Sequence, residues 1–211
     1  SHMNQPPVFR IRITFSKLNA LKYTGSLDMH RIWEHSFRRA RLPLSYSQGF
    51  HPQPRINQAL PLPLGMTSRN DLVEFWLEQE MDLEEIINAL RQAVPPGLEI
   101  TSIASIDVHA PSLPLQVVSA QYHAASISPD LPESLAARIT SLLEKPQLLR
   151  ERRGKAYDLR PLIEQLALDI STTSISHLFM QLAAREGATG RPEEVLAALE
   201  CDPLEFRVER I

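Results

Sequence analysis

The chain has 211 residues, with 22 Lys+Arg against 25 Asp+Glu, 43% hydrophobic residues and one cysteine. That balance provides enough apolar surface for one large domain or two smaller ones, and it excludes a chain that is disordered throughout. The lone Cys201 excludes an internal disulfide, a four-Cys zinc site and the thiolate trio of an iron–sulfur cluster on this chain.

Ser1-His2-Met3 reads as a tag remnant before a natural start at Met3. No apolar run approaches the ~18 residues of a membrane span. A cytoplasmic protein with no membrane contact is expected. Residues 8–15 alternate and predict a strand with Phe9, Ile11, Ile13 and Phe15 on one face and Arg10, Arg12 and Thr14 on the other. Asp28 is the expected N-cap of a helix over 29–41, where Met29, Ile32, Trp33, Ser36, Phe37 and Ala40 recur at helical spacing. Pro43 ends it, and a Pro-rich segment with one extended piece at 55–60 follows. Residues 71–80 predict a strand, 83–93 a helix closed by Pro95-Pro96-Gly97, and 98–108 a further strand.

The second half repeats this order. Strands are expected over 115–127, 148–153, 174–183 and 204–211, and helices over 132–143 and 193–199, the last opened by Pro192. Residues 159–168 fit neither pattern cleanly. The order β-α-β-β-α-β, read twice, predicts an α+β protein of tandem ferredoxin-like (split βαβ) domains, 4–110 and 115–211. That fold hosts many functions and fixes none.

Charge is unevenly placed. Residues 1–69 carry ten basic and two acidic side chains, 70–144 two basic and twelve acidic, and 145–211 ten basic and eleven acidic. Two basic regions flank an acidic one, a pattern suited to a polyanion such as nucleic acid unless the signs neutralise each other in the fold. The densest polar stretch, Ser45-Tyr46-Ser47-Gln48-Gly49-Phe50-His51-Pro52-Gln53-Pro54-Arg55, directly follows the basic helix. Tyr46 or Phe50 can stack on a base while Arg31, Arg38, Arg39 and Arg55 neutralise phosphates, with Gln48 and Gly49 giving polar and close backbone contact. The competing expectation, favoured for Phe50, is that these rings plug the core. His51 has the pKa range of a proton-transfer group, yet spacing ties no second catalytic group to it.

Two further stretches have anion-binding character. One holds Arg152-Arg153-Gly154-Lys155 and then Asp158 and Arg160, without P-loop spacing; the other runs from Gly187 through Arg191-Pro192 into a helix start. An internal ion pair explains Asp158 and Arg160 equally well, and a tight strand-to-helix connection explains Arg191. The histidines lack metal-site spacing, and neither a metal nor a cofactor is expected.

Lys17, Leu27-Asp28, Arg31, Arg38-Arg39-Ala40, Leu42-Pro43, the Tyr46-to-Arg55 run and Leu62-Pro63-Leu64-Gly65 resemble the N-terminal signature of the radical SAM-linked protein family (DUF2344), a domain of unknown function. Pro95-Pro96-Gly97-Leu98, Tyr122, Lys155, Asp158-Leu159-Arg160-Pro161 and Gly190-Arg191-Pro192 with Glu194-Val195-Leu196 are similar to its later motifs, so the likeness spans essentially the whole chain. Gly25-Ser26 stands where the family usually has Ser-His.

The resemblance implies a radical SAM protein as partner, encoded nearby or fused. With one Cys here, that partner would carry the radical chemistry. Three readings follow: an accessory protein that binds RNA or a phosphate-rich ligand; a metal-independent RNA-processing enzyme with His51 as general acid or base and Tyr46 or Ser47 assisting; and a structural partner docking through the acidic segment that holds Glu78, Glu80 and Glu84.

Overall fold

A computed structural model describes residues 6–127, 135–169 and 177–211. Ser1 to Gln5, and the expected starts of a helix at Pro132 and a strand at Ser174, lie outside the described residues. The chain is an α+β protein that divides into two compact units, 1–116 and 117–211.

In the first unit, β1 (Phe9–Lys17) leads to α1 (Ser26–Arg39), β2 (Ile56–Gln58), β3 (Thr67–Leu77), α2 (Leu83–Ala93) and β4 (Leu98–Ile106). β1 pairs antiparallel with both β3 and β4, and β2 pairs antiparallel with β3, giving the order β4-β1-β3-β2. Ile11, Ile13, Val73, Phe75, Leu77 and Ile56 pack with Met29, Trp33 and Phe37 of α1 and Ile86 and Leu90 of α2. Rings anchor this core: Trp33 lies 4.9 Å from Phe15 and 5.4 Å from Phe37, and Phe37 lies 4.3 Å from Phe75.

Asp28 does not cap α1. The helix starts earlier, with Gly25 at the N-cap position, and Asp28 lies in the first turn, where its charge suits the helix dipole and where it pairs with Arg31 at 3.4 Å. α2 has the expected bounds, because an amphipathic stripe ends where Pro95-Pro96 forbids another turn. Gly97 has φ +92°, and a Cβ there would lie 2.9 Å from the Cβ of Ala20, so the tight turn needs glycine twice over.

The sheet face opposite the helices is polar but not open throughout. Arg10 is paired with Trp76 across the β1–β3 ladder and Arg12 with Glu74. Arg10 is 2% exposed and Glu74 0%. Arg10 Nε and Nη2 donate to Glu74 Oε1 at 2.8 and 2.6 Å, while Arg12 Nε donates to Oε2 at 2.8 Å. The remaining Arg10 donors reach the carbonyls of Asp107 (3.3 Å), Ala110 (2.7 Å) and Pro111 (2.8 Å). The 107–111 segment is thereby held on this face, and the short helix α3 (Leu113–Gln116) follows it.

In the second unit, β5 (Ser119–Ser126) is followed by α4 (Leu135–Glu144), β6 (Leu149–Arg152), β7 (Lys155–Asp158), β8 (Ile163–Asp169), β9 (His177–Arg185), β10 (Ala188–Thr189), α5 (Pro192–Ala198) and β11 (Phe206–Arg210). β5 pairs antiparallel with β11 and β9, and β9 with β8, so the order is β11-β5-β9-β8, with β10 also on β9. The strand expected at 148–153 does not join this sheet. β6 forms a separate hairpin with β7, and the sheet position is filled by β8, from the stretch whose pattern was ambiguous. Among the described residues, no helix is long and apolar enough to cross a membrane.

Candidate functional site

Residues 45–55 fold as a tight, self-bonded hairpin beside β3. Ser45 N–H donates to Trp76 O (2.8 Å) and Arg55 N–H to Ser45 O (2.9 Å). Tyr46 and Pro54 form an antiparallel bridge, Ser47 N–H donates to Gln53 O (2.8 Å), and Gln53 N–H donates to Ser47 Oγ (3.0 Å). The tip, 48–52, therefore projects from a stiff base. Gly49 takes φ +129°, closed to other residues without strain.

Phe50 is 101% exposed, which overturns the expectation that it plugs the core. A hairpin that satisfies its own backbone has no cavity to fill at its tip, so the ring is left in water. Tyr46, Gln48 and His51 are exposed beside it in the chain. Among the described residues, the His51 imidazole has no hydrogen-bond partner. A general base needs a neighbour that orients it, so the geometry does not single His51 out for catalysis.

The helix arginines differ in what they already hold. Arg38 pairs with Glu34 at 2.6 Å and Arg31 with Asp28, both along α1, while Arg39 is exposed with no ion pair among the described residues. Arg10 and Arg12, counted in the N-terminal basic excess, share Glu74. Arg55 lies with its guanidinium 4.7 Å from the centre of the Trp76 ring, and Arg10 lies 5.4 Å from the same ring.

In the second unit, Asp158 Oδ1 accepts from Leu148 N–H (2.7 Å) and Arg160 N–H (3.0 Å). Arg160 donates to Leu143 O and Ile163 O. Both side chains thus brace the β6–β7 hairpin against its flanks. Lys155 is exposed on β7, and Arg191 is half-buried at the N-cap position of α5.

Sequence spacing did not reveal the cluster these stretches form. Arg152 donates to Glu194 from Nε (3.0 Å) and Nη2 (2.6 Å), and the Tyr157 hydroxyl donates to the same carboxylate. Burial first, and then its bond to Glu194, push the Tyr157 phenol up to about 12. Burial is also the largest single influence on Glu194 and works to raise it, but the bonds from Arg152 and Tyr157 and the charges of Arg152 and Arg191 outweigh it and hold the carboxyl below its ordinary value. Burial raises the Cys201 thiol, so it is not poised as a nucleophile.

The sign of the Tyr157 shift sets a pH dependence. The folded state keeps its proton after the unfolded chain has lost it, so this stabilisation is complete below the ordinary tyrosine value of 10.0 and is lost as pH rises toward about 12. Urea denaturation across that window should show stability falling, and Tyr157→Phe should flatten this alkaline limb. An identical limb in Tyr157→Phe would show that Tyr157 does not cause it.

Trp76, Glu74 and Asn57 also escaped the sequence reading. Strict two-residue alternation through 72–77 is the signal that would have set Leu72, Glu74 and Trp76 against Val73, Phe75 and Leu77.

No curated protein matches the chain. Among solved structures, the crystal structure of a candidate glycine cleavage system transcriptional repressor aligns over 97% of this chain and 96% of its own, at 9% identity and a TM-score of 0.26, too low to carry an argument. A family model described as "Uncharacterized protein conserved in bacteria (DUF2344)" matches residues 10–192. With the model spanning the hairpin, the helix arginines and Arg152 and Tyr157, the chain belongs to the DUF2344 family.

Proposed function

We propose that this protein binds RNA, or another phosphate-rich ligand, and presents it to a radical SAM partner that performs the chemistry. The observation that carries the reading is the hairpin tip, where a fully exposed Phe50 stands on a rigid base beside Tyr46, Gln48 and His51. Exposing an aromatic ring forfeits about 1.5–3 kcal/mol of burial, and a stacking platform for bases is a use that repays it. Arg39 and Arg55, which have no carboxylate partner among the described residues, supply the phosphate contacts. Arg31 and Arg38 join them by exchanging intrahelical partners.

The radical SAM partner is supported by the motif resemblance and by the single cysteine of this chain. We further propose that each unit is a ferredoxin-like domain, the second with the β6–β7 hairpin inserted. The strand orders β4-β1-β3-β2 and β11-β5-β9-β8 support this reading. Binding is favoured over RNA cleavage because His51 has no orienting neighbour among the described residues.

The test is anisotropy of a labelled single-stranded RNA at several salt concentrations. Affinity should fall steeply with salt, and Arg38→Ala/Arg39→Ala should lower the log–log slope by about 1.4, roughly 0.7 per lost phosphate contact. Arg39 should account for most of the affinity loss, since Arg38 must first leave Glu34. An unchanged slope would remove these arginines from the interface.

A further inference from the structure

The polar face of the first unit's sheet holds a cleft of about 370 Å³ between the hairpin base and the 108–112 segment, lined by Pro54, Arg55, Asn57, Trp76, Ala110 and Ser112 together with Arg10, Ile56 and Val108. This is within the range of pockets that hold small molecules the size of a mononucleotide. Its polar groups fall into two sets. The guanidinium of Arg10 is saturated by Glu74 and the carbonyls of residues 107, 110 and 111. The side chains of Arg55, Asn57 and Ser112 have no hydrogen-bond partner among the described residues, although all three line the same cavity.

Charge points the same way. Arg10, Arg12 and Arg55 are set against the carboxylate of Glu74, and among the described residues no carboxylate lines the cleft. The nearby Asp107 is committed to the backbone N–H of His109 at 2.9 Å. Asp107 keeps its charge in that bond, yet three arginines against the carboxylates of Glu74 and Asp107 still leave a local excess of positive charge beside the cleft that Arg55, Asn57 and Ser112 line. Trp76 is 7% exposed, so its ring is not open to stack on a ligand. Its ring instead holds the Arg55 guanidinium, whose central carbon lies 4.7 Å from the ring centre, while the N–H groups of that guanidinium, without a hydrogen-bond partner among the described residues, remain to serve a ligand.

We propose that this cleft is a phosphate-monoester site in which Arg55 grips the phosphoryl group while Asn57 and Ser112 donate to its remaining oxygens. The inference deepens the RNA-binding reading, with which it shares Arg55. It names the chemistry recognised, a terminal phosphate, as distinct from the internal phosphates met by the α1 arginines.

The indole N–H resonance of Trp76 reports occupancy, and the other tryptophan, Trp33, is sealed in the core. Inorganic phosphate should shift the Trp76 signal saturably, and adenosine 5′-monophosphate should bind at least about tenfold tighter than adenosine, the value of one charge-assisted hydrogen bond. Asn57→Asp, which places a carboxylate beside Arg55, should abolish the phosphate response. Arg38→Ala/Arg39→Ala should leave it intact. To separate free phosphate from a chain end, a 5′-phosphorylated RNA should outcompete its 5′-hydroxyl counterpart in wild type but not in Asn57→Asp. A non-saturating phosphate titration, equal affinity for adenosine and its monophosphate, or an undiminished response in Asn57→Asp would overturn the proposal. None of these would touch salt-dependent RNA binding, which fails or stands by its own titration.

Discussion

Glu74→Ala is expected to remove about 3–5 kcal/mol of folding stability in urea denaturation. Glu74 is wholly buried, and its two oxygens each serve a different arginine: Oε1 takes two donors from Arg10, and Oε2 takes Arg12. Removing it leaves the Arg10 guanidinium, 2% exposed, without a counter-charge in a site closed to water. Arg12 suffers less because it is 22% exposed and can turn to solvent.

The loss is expected to be strongly non-additive. Arg10→Met/Glu74→Leu removes both charges and should be less destabilising than Glu74→Ala alone. The single variant should also loosen the 107–111 segment, whose carbonyls are held by the same guanidinium, and protection of backbone amides there against hydrogen exchange should drop. A cost below about 1 kcal/mol would mean that the triad behaves as a surface ion pair and does not brace the sheet face.

Phe50→Ala should weaken binding to single-stranded RNA by about 5–150-fold, the range for one lost base–aromatic stack. Its folding stability should be unchanged, because the ring is fully exposed and contributes nothing to the core. Phe50→Trp, which keeps a flat ring at the tip, should retain affinity. Unlike the arginine double variant, Phe50→Ala should leave the salt slope unaltered, since no phosphate contact is lost. Full RNA affinity in Phe50→Ala, or a stability loss that accounts for the effect, would remove the stacking role.

Much of the first unit was legible because its signals are local. The alternation through Ile11, Ile13 and Phe15 and the α2 stripe ended by Pro95-Pro96 are set by neighbours within a few residues. Contacts made across the sheet were not legible. Glu74 is 64 residues from Arg10 in sequence, so the N-terminal charge excess hid an internal neutralisation. β8 was obscured by the preceding hairpin and by a mixed burial pattern, with only Ile163 and Leu166 buried.

Phe50 failed in the opposite way. Its residue type speaks for the core, and only the self-satisfied backbone of the hairpin explains why it stands in water. Of the expected ligand residues, those on the hairpin and α1 are displayed at the surface or at the cleft, whereas Asp158 and Arg160 are occupied by backbone partners.

The most direct test of the RNA-binding claim is the salt dependence of wild-type affinity for single-stranded RNA. A log–log slope of about −2 or steeper, matching three or more neutralised phosphates at roughly 0.7 each, is the predicted result. Absent or salt-insensitive binding would contradict it.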